Sequence, residues 1–195
     1  VNPSQVLVEN LPTTHLGDVQ IIKAILPVDT AQAPDMLLDQ INAHDPDAAV
    51  CFGLAAGRPV ISLERVALNL MDFRIPDNAG VTITDRPVVA EGPAAYFSTL
   101  PLRAALEALS ASGIPAELSL SAGAYLCNQV FYTLMHHAAS RQHPFSAGFV
   151  HLPATPDIAA ASAKPMPSLS MPLILKAAEI IIQHINTAVK PTSSK

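Results

Sequence analysis

The sequence predicts an α/β protein, a three-layer α/β/α sandwich around a largely parallel (mixed) twisted sheet. Short segments rich in β-branched residues alternate along the chain with amphipathic helical segments, which is the pattern of strands covered by helices. Half of the residues are hydrophobic and 14% are charged, as expected for a chain with a large core. The 195 residues suit one domain, 1–195.

The first quarter of the chain predicts two helices and two strands. Asn2-Pro-Ser4 is a capping sequence, so a short helix is expected to run to about Leu11. β-branched residues predict a strand from Val19 to Pro27. Apolar spacing predicts a brief helix from Asp35 to Ala43, and DAAVCFG at 47–53 predicts a buried strand.

The middle of the chain predicts a long strand, loops, a helix and another strand. VISLERVALNLM at 60–71 has the composition of one long strand, and the Pro and Gly residues between 72 and 93 indicate loops. A helix is expected over Leu102 to Ser112, where Gly113 supplies a left-handed cap. Residues 114–121 predict the strand that follows it.

The last third predicts two helices and one strand. In the segment 121–141, apolar residues recur at three- and four-residue steps after a small, turn-like SAG, which indicates a helix buried on one face. AGFVHL at 147–152 predicts a strand, and the proline-rich 154–168 a loop. A closing helix is expected over 170–189.

Composition excludes several classes of function. A net charge of −5 with scattered Lys and Arg argues against nucleic acid as a partner. No apolar run is long enough to span a membrane. Only two cysteines occur, Cys51 and Cys127, and no signal peptide is visible, which together favour a cytoplasmic location. His136, His137 and His143 lack the spacing of a zinc motif, so no metal site is predicted.

Cys127 is the candidate nucleophile. It falls in the first turn of the predicted helix, where unpaired N–H groups and the helix dipole favour a thiolate over a thiol. The alternative is simple packing, because cysteine is among the most buried residue types. Cys51, between Val50 and Phe52, is expected to be inert.

Two further ionisable residues lie in apolar surroundings. Glu64 is inside a predicted strand, and His151 ends another, so a hydrogen bond between them would explain both. Together with Cys127 they have the composition of a nucleophile, a base and an orienting carboxylate. We expect strand ends to gather the site at one edge of the sheet. Alternatively, Glu64 pairs with Arg65 or Arg74, and His151 is a satisfied core residue.

Three blocks of sequence resemble a known family. ISLERVALNLMDFRIPDNAG at 61–80, AYLCNQVFYTLMH at 124–136 and GFVHLPATP at 148–156 are similar to signature blocks of pyroglutamyl peptidase I, also called pyrrolidone carboxyl peptidase. The family consists of cytoplasmic cysteine peptidases. The resemblance implies removal of an N-terminal pyroglutamyl residue from peptides, without a cofactor, by a homo-oligomer, a tetramer by the family pattern.

The resemblance also implies roles for individual residues. Cys127 would be the nucleophile, His151 the base and Glu64 the orienting carboxylate. The backbone at Arg74 and the Cys127 N–H would stabilise the oxyanion. The substrate-binding positions would be Ile75, Tyr125 and Leu126.

The resemblance also implies a strand and an aromatic loop ahead of Asn2, a segment that this sequence lacks. A sheet without that central strand would have unpaired edges.

Two alternatives stay open at this point. A protein of the same fold could be a catalytically silent peptide-binding protein, in which Cys127 would have ordinary reactivity. A related cysteine-dependent amidase or glutaminase could use the same three residues on another amide. Thiol reactivity tests the first alternative, and hydrolysis of glutamine substrates tests the second.

Overall fold

The computed structural model describes residues 2–12 and 15–189. The single-domain prediction for 1–195 extends beyond these residues and stays a prediction. The elements, in chain order, are α1 (Pro3–Asn10), β1 (His15–Leu16), β2 (Val19–Gln20), α2 (Gln32–His44), β3 (Ala48–Leu54), β4 (Ile61–Glu64), β5 (Val66–Leu68), β6 (Ala95–Phe97), α3 (Leu102–Ala111), β7 (Ala116–Ser119), α4 (Leu126–Ser140), β8 (Ser146–Leu152), α5 (Pro156–Ala161) and α6 (Met171–Val189).

The main sheet has four strands in the order β3-β8-β4-β7. β3 runs parallel to β8, and β4 runs parallel to β7, whereas β4 and β8 are antiparallel. It follows that β7 and β8 run in opposite directions. Two small antiparallel ribbons, β1-β2 and β5-β6, stand apart from this sheet.

Helices cover both faces of the main sheet, which confirms the predicted fold class. Side chains alternate between faces along a strand, so β8 contributes Val150 and Leu152 to one core and Ala147 and Phe149 to the other. The first core holds the buried residues of α1, α3 and α6, and the second those of α2 and α4. Among the described residues, no helix has the length and apolarity that a membrane crossing requires.

The predicted helices form where capping and apolar spacing place them. The Asn2 side chain accepts a hydrogen bond from the Ser4 N–H at 3.0 Å and begins α1. Gly113, with φ of 71°, follows α3 in the left-handed conformation expected of it. α4 and α6 bury the apolar faces that their spacing indicates.

The predicted long strand over 60–71 is wrong. The chain leaves the main sheet at Arg65, so β4 belongs to that sheet and β5 pairs with β6 instead. The Arg65 N–H donates to the Ser119 carbonyl, and its carbonyl accepts from the Ser98 N–H, which joins the two sheets at this residue. The strand β6 and the short helix α5 lie in stretches where no element was predicted.

The predicted strand over 19–27 is also largely wrong. Only Val19–Gln20 forms a strand, and the exposed Ile22 and Ile25 follow it in irregular backbone. A strand needs a hydrogen-bonding neighbour, and within the described ranges this stretch has only the two residues of β1. β3 is an end strand of the four-stranded sheet.

Candidate active site

Glu64 and His151 come together on the face of the sheet that α4 covers. In the antiparallel pair of β4 and β8, Ser62 lies opposite His151 and Glu64 lies opposite Phe149. Glu64 and His151 are therefore diagonal neighbours on one face, within reach of long side chains. Glu64 Oε1 lies 2.8 Å from His151 Nδ1. Both side chains are buried, with exposed fractions of 0% and 4%.

Arg58 is the cation that pairs with Glu64. Its Nη1 lies 2.7 Å from Glu64 Oε1, the same oxygen that His151 contacts. The expected alternative, a pair with Arg65 or Arg74, is therefore wrong. The other carboxylate oxygen, Oε2, is buried without a hydrogen-bond partner.

Cys127 lies against the same part of the sheet. It is the second residue of α4, and Gly53 of β3 leaves room for its sulfur: a Cβ added at Gly53 would be 2.9 Å from Cys127 Sγ. Gly53 is the register partner of His151 in the parallel pair of β3 and β8. The thiol is thus placed beside the strand position that carries the imidazole.

Phe149 closes the space between these groups. A Cβ at Gly53 would also be 2.8 Å from Phe149 Cζ, so the aromatic ring and the sulfur share the volume that glycine leaves free. The Phe149 and His151 rings have centroids 4.8 Å apart. The imidazole therefore has an apolar wall on one side and the Glu64 carboxylate on Nδ1, which leaves Nε2 as the nitrogen that can accept a proton.

Two amides next to Cys127 fix the start of α4. The fully buried Asn128 accepts from the Leu68 N–H and donates to the carbonyls of Leu68 and Leu70, at 2.8–2.9 Å. Gln129 donates to the Thr30 carbonyl and accepts from the Thr30 hydroxyl. These bonds set the height and rotation of the helix, and so the position of the thiol.

Burial opposes the thiolate that the helix start favours. Burial raises the pKa of the Cys127 thiol to about 11, and the negative charge of Glu64 adds to the rise. Arg58 acts in the opposite direction but does not offset burial. Two effects thus act on the Cys127 thiol in opposite directions, because burial disfavours the thiolate and the helix start favours it.

The site lies at the C-terminal ends of the parallel strands β3 and β8, on the face of the sheet that α4 covers. β7 and β8 run in opposite directions, so their C-terminal ends point to opposite ends of the sheet. The connection over 120–125 carries the chain back from the end of β7, and α4 then places Cys127 beside Gly53. The expected gathering at strand ends therefore applies to β3 and β8, whereas Cys127 reaches the site from β7 through this connection.

The other predicted positions lie on a loop that is tied to the start of α4. The Asp72 N–H donates to the Ala124 carbonyl at 2.9 Å, and the Tyr125 hydroxyl donates to the Pro76 carbonyl at 3.1 Å. Arg74 and Ile75 lie between these two attachments, and Ile75 is 58% exposed.

Phe73 and Tyr125 add an aromatic contact to this attachment, with ring centroids 4.8 Å apart and edge-to-face geometry. Leu126 differs from the other predicted positions, because its side chain is only 5% exposed and offers little surface to a ligand.

Sequence reasoning missed Arg58 and Gly53. Both lie in the stretch GLAAGR at 53–58, for which the sequence predicts no role in the site. A signal was present for Arg58, because a carboxylate buried in a strand needs a cation, and Arg58 is six residues away. Asp77 has a structural role in a turn, since it accepts hydrogen bonds from the N–H groups of Thr30, Ala79 and Val81.

The two cysteines have similar surroundings. Cys51 is partly buried, and burial raises the pKa of its thiol to about 12. Within the described ranges, no group of three His, Cys, Asp or Glu side chains is arranged to hold a metal ion.

Comparisons with known proteins agree on one family. The family model described as pyroglutamyl peptidase matches residues 1–188. The pyrrolidone-carboxylate peptidase of Vibrio vulnificus is 46% identical over 169 residues, which are 87% of this chain and 79% of that protein. That of Pyrococcus furiosus is 43% identical over 157 residues, 80% of this chain and 76% of the relative.

A solved structure shows the same architecture. The pyrrolidone carboxyl peptidase of Pyrococcus furiosus superimposes with a TM-score of 0.94 at 38% identity, covering 97% of this chain and 93% of that one. With a family match over nearly the whole length and relatives above 40% identity, the chain belongs to the pyroglutamyl peptidase family.

Proposed function

We propose that this protein is a cysteine peptidase that hydrolyses the bond after an N-terminal pyroglutamyl residue, with Cys127, His151 and Glu64 as its reacting group. The observation that carries the proposal is the buried contact of 2.8 Å between Glu64 and His151, on strand positions next to the Gly53 space that Cys127 Sγ occupies. Membership in the pyroglutamyl peptidase family supplies the substrate class.

Acylation begins with removal of the thiol proton. Because burial raises the pKa of the Cys127 thiol, a base is needed to remove its proton, and His151 Nε2 takes the proton as Sγ attacks. The C–S bond forms at the pyroglutamyl carbonyl carbon. Glu64 on Nδ1 then faces an imidazolium, and the attraction between the two charges is gained as the transition state is approached.

The remaining steps reverse this proton transfer. The imidazolium donates its proton to the leaving amine as the C–N bond breaks, which leaves a thioester on Cys127. A water molecule, deprotonated by His151, then attacks the thioester carbonyl. The C–S bond breaks, the thiol regains its proton, and 5-oxoproline leaves.

The oxyanion and the lactam ring need polar and apolar contacts respectively. We assign the oxyanion to the N–H of Cys127, at the start of α4, together with the backbone at Arg74. We assign the ring to Ile75, Tyr125 and Leu126. Support is strongest for Ile75 and Tyr125, because the loop that carries Ile75 is fixed to Tyr125 through Pro76. The lactam ring is uncharged, so contact with an exposed apolar residue such as Ile75 suits it better than contact with a charged group.

The setting of the reaction is also part of the proposal. No step requires a metal or an organic cofactor. Two free cysteines suit a reducing cytoplasm. A homo-oligomer, a tetramer by resemblance, is supported by the exposed apolar side chains of Phe97 and Leu120, 67% and 66% accessible. Light scattering coupled to size exclusion measures the oligomeric state.

The test is substrate selectivity combined with removal of the thiol. We expect hydrolysis of pyroglutamyl p-nitroanilide and none of the alanyl or glutaminyl analogues. Cys127→Ser should keep the fold and lose at least about a thousandfold in kcat. Cys51→Ala is the matched control and should retain turnover.

Other outcomes would favour the two alternatives. Hydrolysis of the glutaminyl substrate would indicate the amidase. A folded protein without turnover on any of these substrates would indicate a silent peptide-binding protein.

A further inference from the structure

Arg58 contacts both Glu64 and the connection that leads to Cys127. It follows β3 in a turn in which its N–H donates to the Ala55 carbonyl. Its guanidinium contacts Glu64 Oε1 at 2.7 Å and Ser119 Oγ at 3.2 Å through Nη1. Through Nη2 it donates to the Ser121 carbonyl at 2.7 Å. One planar group thus joins the orienting carboxylate to the connection that leads to Cys127.

Arg58 places a positive charge against the buried carboxylate of Glu64. Glu64 is fully buried, and its Oε2 has no hydrogen-bond partner, so its negative charge depends on contacts made at Oε1. His151 contacts the same oxygen at 2.8 Å. A buried carboxylate without a cation is strongly disfavoured, and Arg58 is the cation that contacts Glu64 at 2.7 Å.

The same charge acts on the nucleophile. Glu64 raises the pKa of the Cys127 thiol, and Arg58 lowers it. The positive charge of Arg58 therefore partly offsets the effect of the Glu64 carboxylate on the pKa of the thiol. The fork geometry also matters, because a guanidinium contacts the carboxylate and the Ser121 carbonyl through two different nitrogen atoms, whereas an ammonium has only one.

We propose that Arg58 is a positioning residue of the reaction, which holds Glu64 against His151 and fixes the connection before α4 while offsetting the carboxylate charge at the thiol. This rests on the proposed function for the role of Glu64 and His151. It assigns a fourth side chain to the site, one that touches neither substrate nor reacting atoms.

The test compares Arg58→Met and Arg58→Lys with the wild type, and Arg103→Met serves as a matched control on the exposed start of α3. Two readouts are measured: kcat and KM for pyroglutamyl p-nitroanilide, and the pH dependence of Cys127 alkylation by iodoacetamide. Thermal melting reports whether each variant is folded.

We expect Arg58→Met to lower kcat about ten- to a hundredfold with KM within about twofold of wild type, since the loss falls on the transition state. Its Cys127 should require higher pH for alkylation. Arg58→Lys should recover part of kcat and most of the alkylation profile, because it restores charge without the fork. Should Arg58→Met not fold, Arg58→Lys alone still separates fork from charge. Arg103→Met should match the wild type.

Two results would overturn the proposal. One is a kcat in Arg58→Met, or in Arg58→Lys if only that variant folds, equal to that of Arg103→Met. The other is a folded Arg58→Met with an unchanged alkylation profile. Failure of the proposed function is distinguishable, because it would remove wild-type turnover and leave the alkylation comparison intact.

Discussion

Glu64 and His151 are diagonal neighbours across the antiparallel strands β4 and β8, with Oε1 of the carboxylate 2.8 Å from Nδ1 of the imidazole. The contact is made by side chains on central strands, so sheet hydrogen bonds hold both backbones in place. The orientation of the imidazole is therefore set by the register of the sheet and not by a mobile loop.

Replacing Glu64 with Gln should be milder than replacing His151 with Ala. Gln can still accept the Nδ1–H bond, but it cannot stabilise the imidazolium, so we expect kcat to fall on the order of a hundredfold. His151→Ala removes the group that carries the proton, so its kcat should be at least about ten times lower than that of Glu64→Gln. Steady-state kinetics measures both variants, and circular dichroism checks folding. Equal losses in the two folded proteins would contradict this division of roles.

Alkylation of Cys127 should depend steeply on pH. With the pKa raised to about 11 by burial, thiolate increases about tenfold for each pH unit between 7 and 10, and the iodoacetamide rate should follow. Peptide mass spectrometry measures the rate. Cys51, whose pKa is raised to about 12, is the internal comparison and should react more slowly. A Cys127 rate that reaches a plateau by pH 8 would show a preformed thiolate–imidazolium pair instead.

Gly53→Ala should reduce activity through the position of the sulfur. The added Cβ would lie 2.9 Å from Cys127 Sγ and 2.8 Å from Phe149 Cζ, so side chains must shift, at about 1–3 kcal/mol. We expect kcat to fall at least about tenfold. Gly148→Ala is the matched control. Its Cβ would crowd Ser98 and Leu100 instead, so it should lose stability and keep more of its kcat. Equal kcat values at similar stability would refute a role for Gly53 in the site.

Cys51→Ala should protect the fold at alkaline pH. The folded pKa of Cys51, about 12, lies above the ordinary value of 9.0, so its contribution is complete below about pH 9 and is lost as pH rises toward 12. At pH 11 this loss is on the order of 2 kcal/mol, and the variant does not incur it.

Urea unfolding at pH 8 and pH 11 measures this difference. The free energy of unfolding should fall less with pH in Cys51→Ala than in the wild type. In Asp35→Asn, a substitution on the exposed face of α2, it should fall as much as in the wild type. Parallel pH dependences in all three proteins would contradict the assignment.

The fold class and the contact between Glu64 and His151 could be predicted because each depends on local information. Alternation of strand and helix patterns indicates layers, and an acid in an apolar strand indicates a hidden partner. The break at Arg65 could not be predicted, because VISLERVALNLM has the same composition on both sides of it. Only the tertiary bonds to Ser98 and Ser119 determine where the chain changes sheets.

Details of the site depend on contacts between distant residues. The strand order places β7 and β8 in opposite directions, and no local pattern reports this. The helix-start argument for Cys127 treated the thiol as solvated, whereas the core of α2 and α4 surrounds it. Arg58 escaped notice because a single Arg after glycine is typical of a solvent-exposed turn, and its role becomes visible only with Ser121 and Glu64 in place.

The length of the six-residue connection from 120 to 125 determines which residue of α4 lies against Gly53. An α-helix advances by about 100° per residue, so removing one residue from this connection would bring Asn128 to the place of Cys127 above Gly53, or would break the bonds that Asn128 makes to Leu68. His151 has no such dependence, because β8 is held by strands on both sides and changes in 154–168 lie beyond it. Length variation among relatives should therefore be rare just before Cys127 and common after His151.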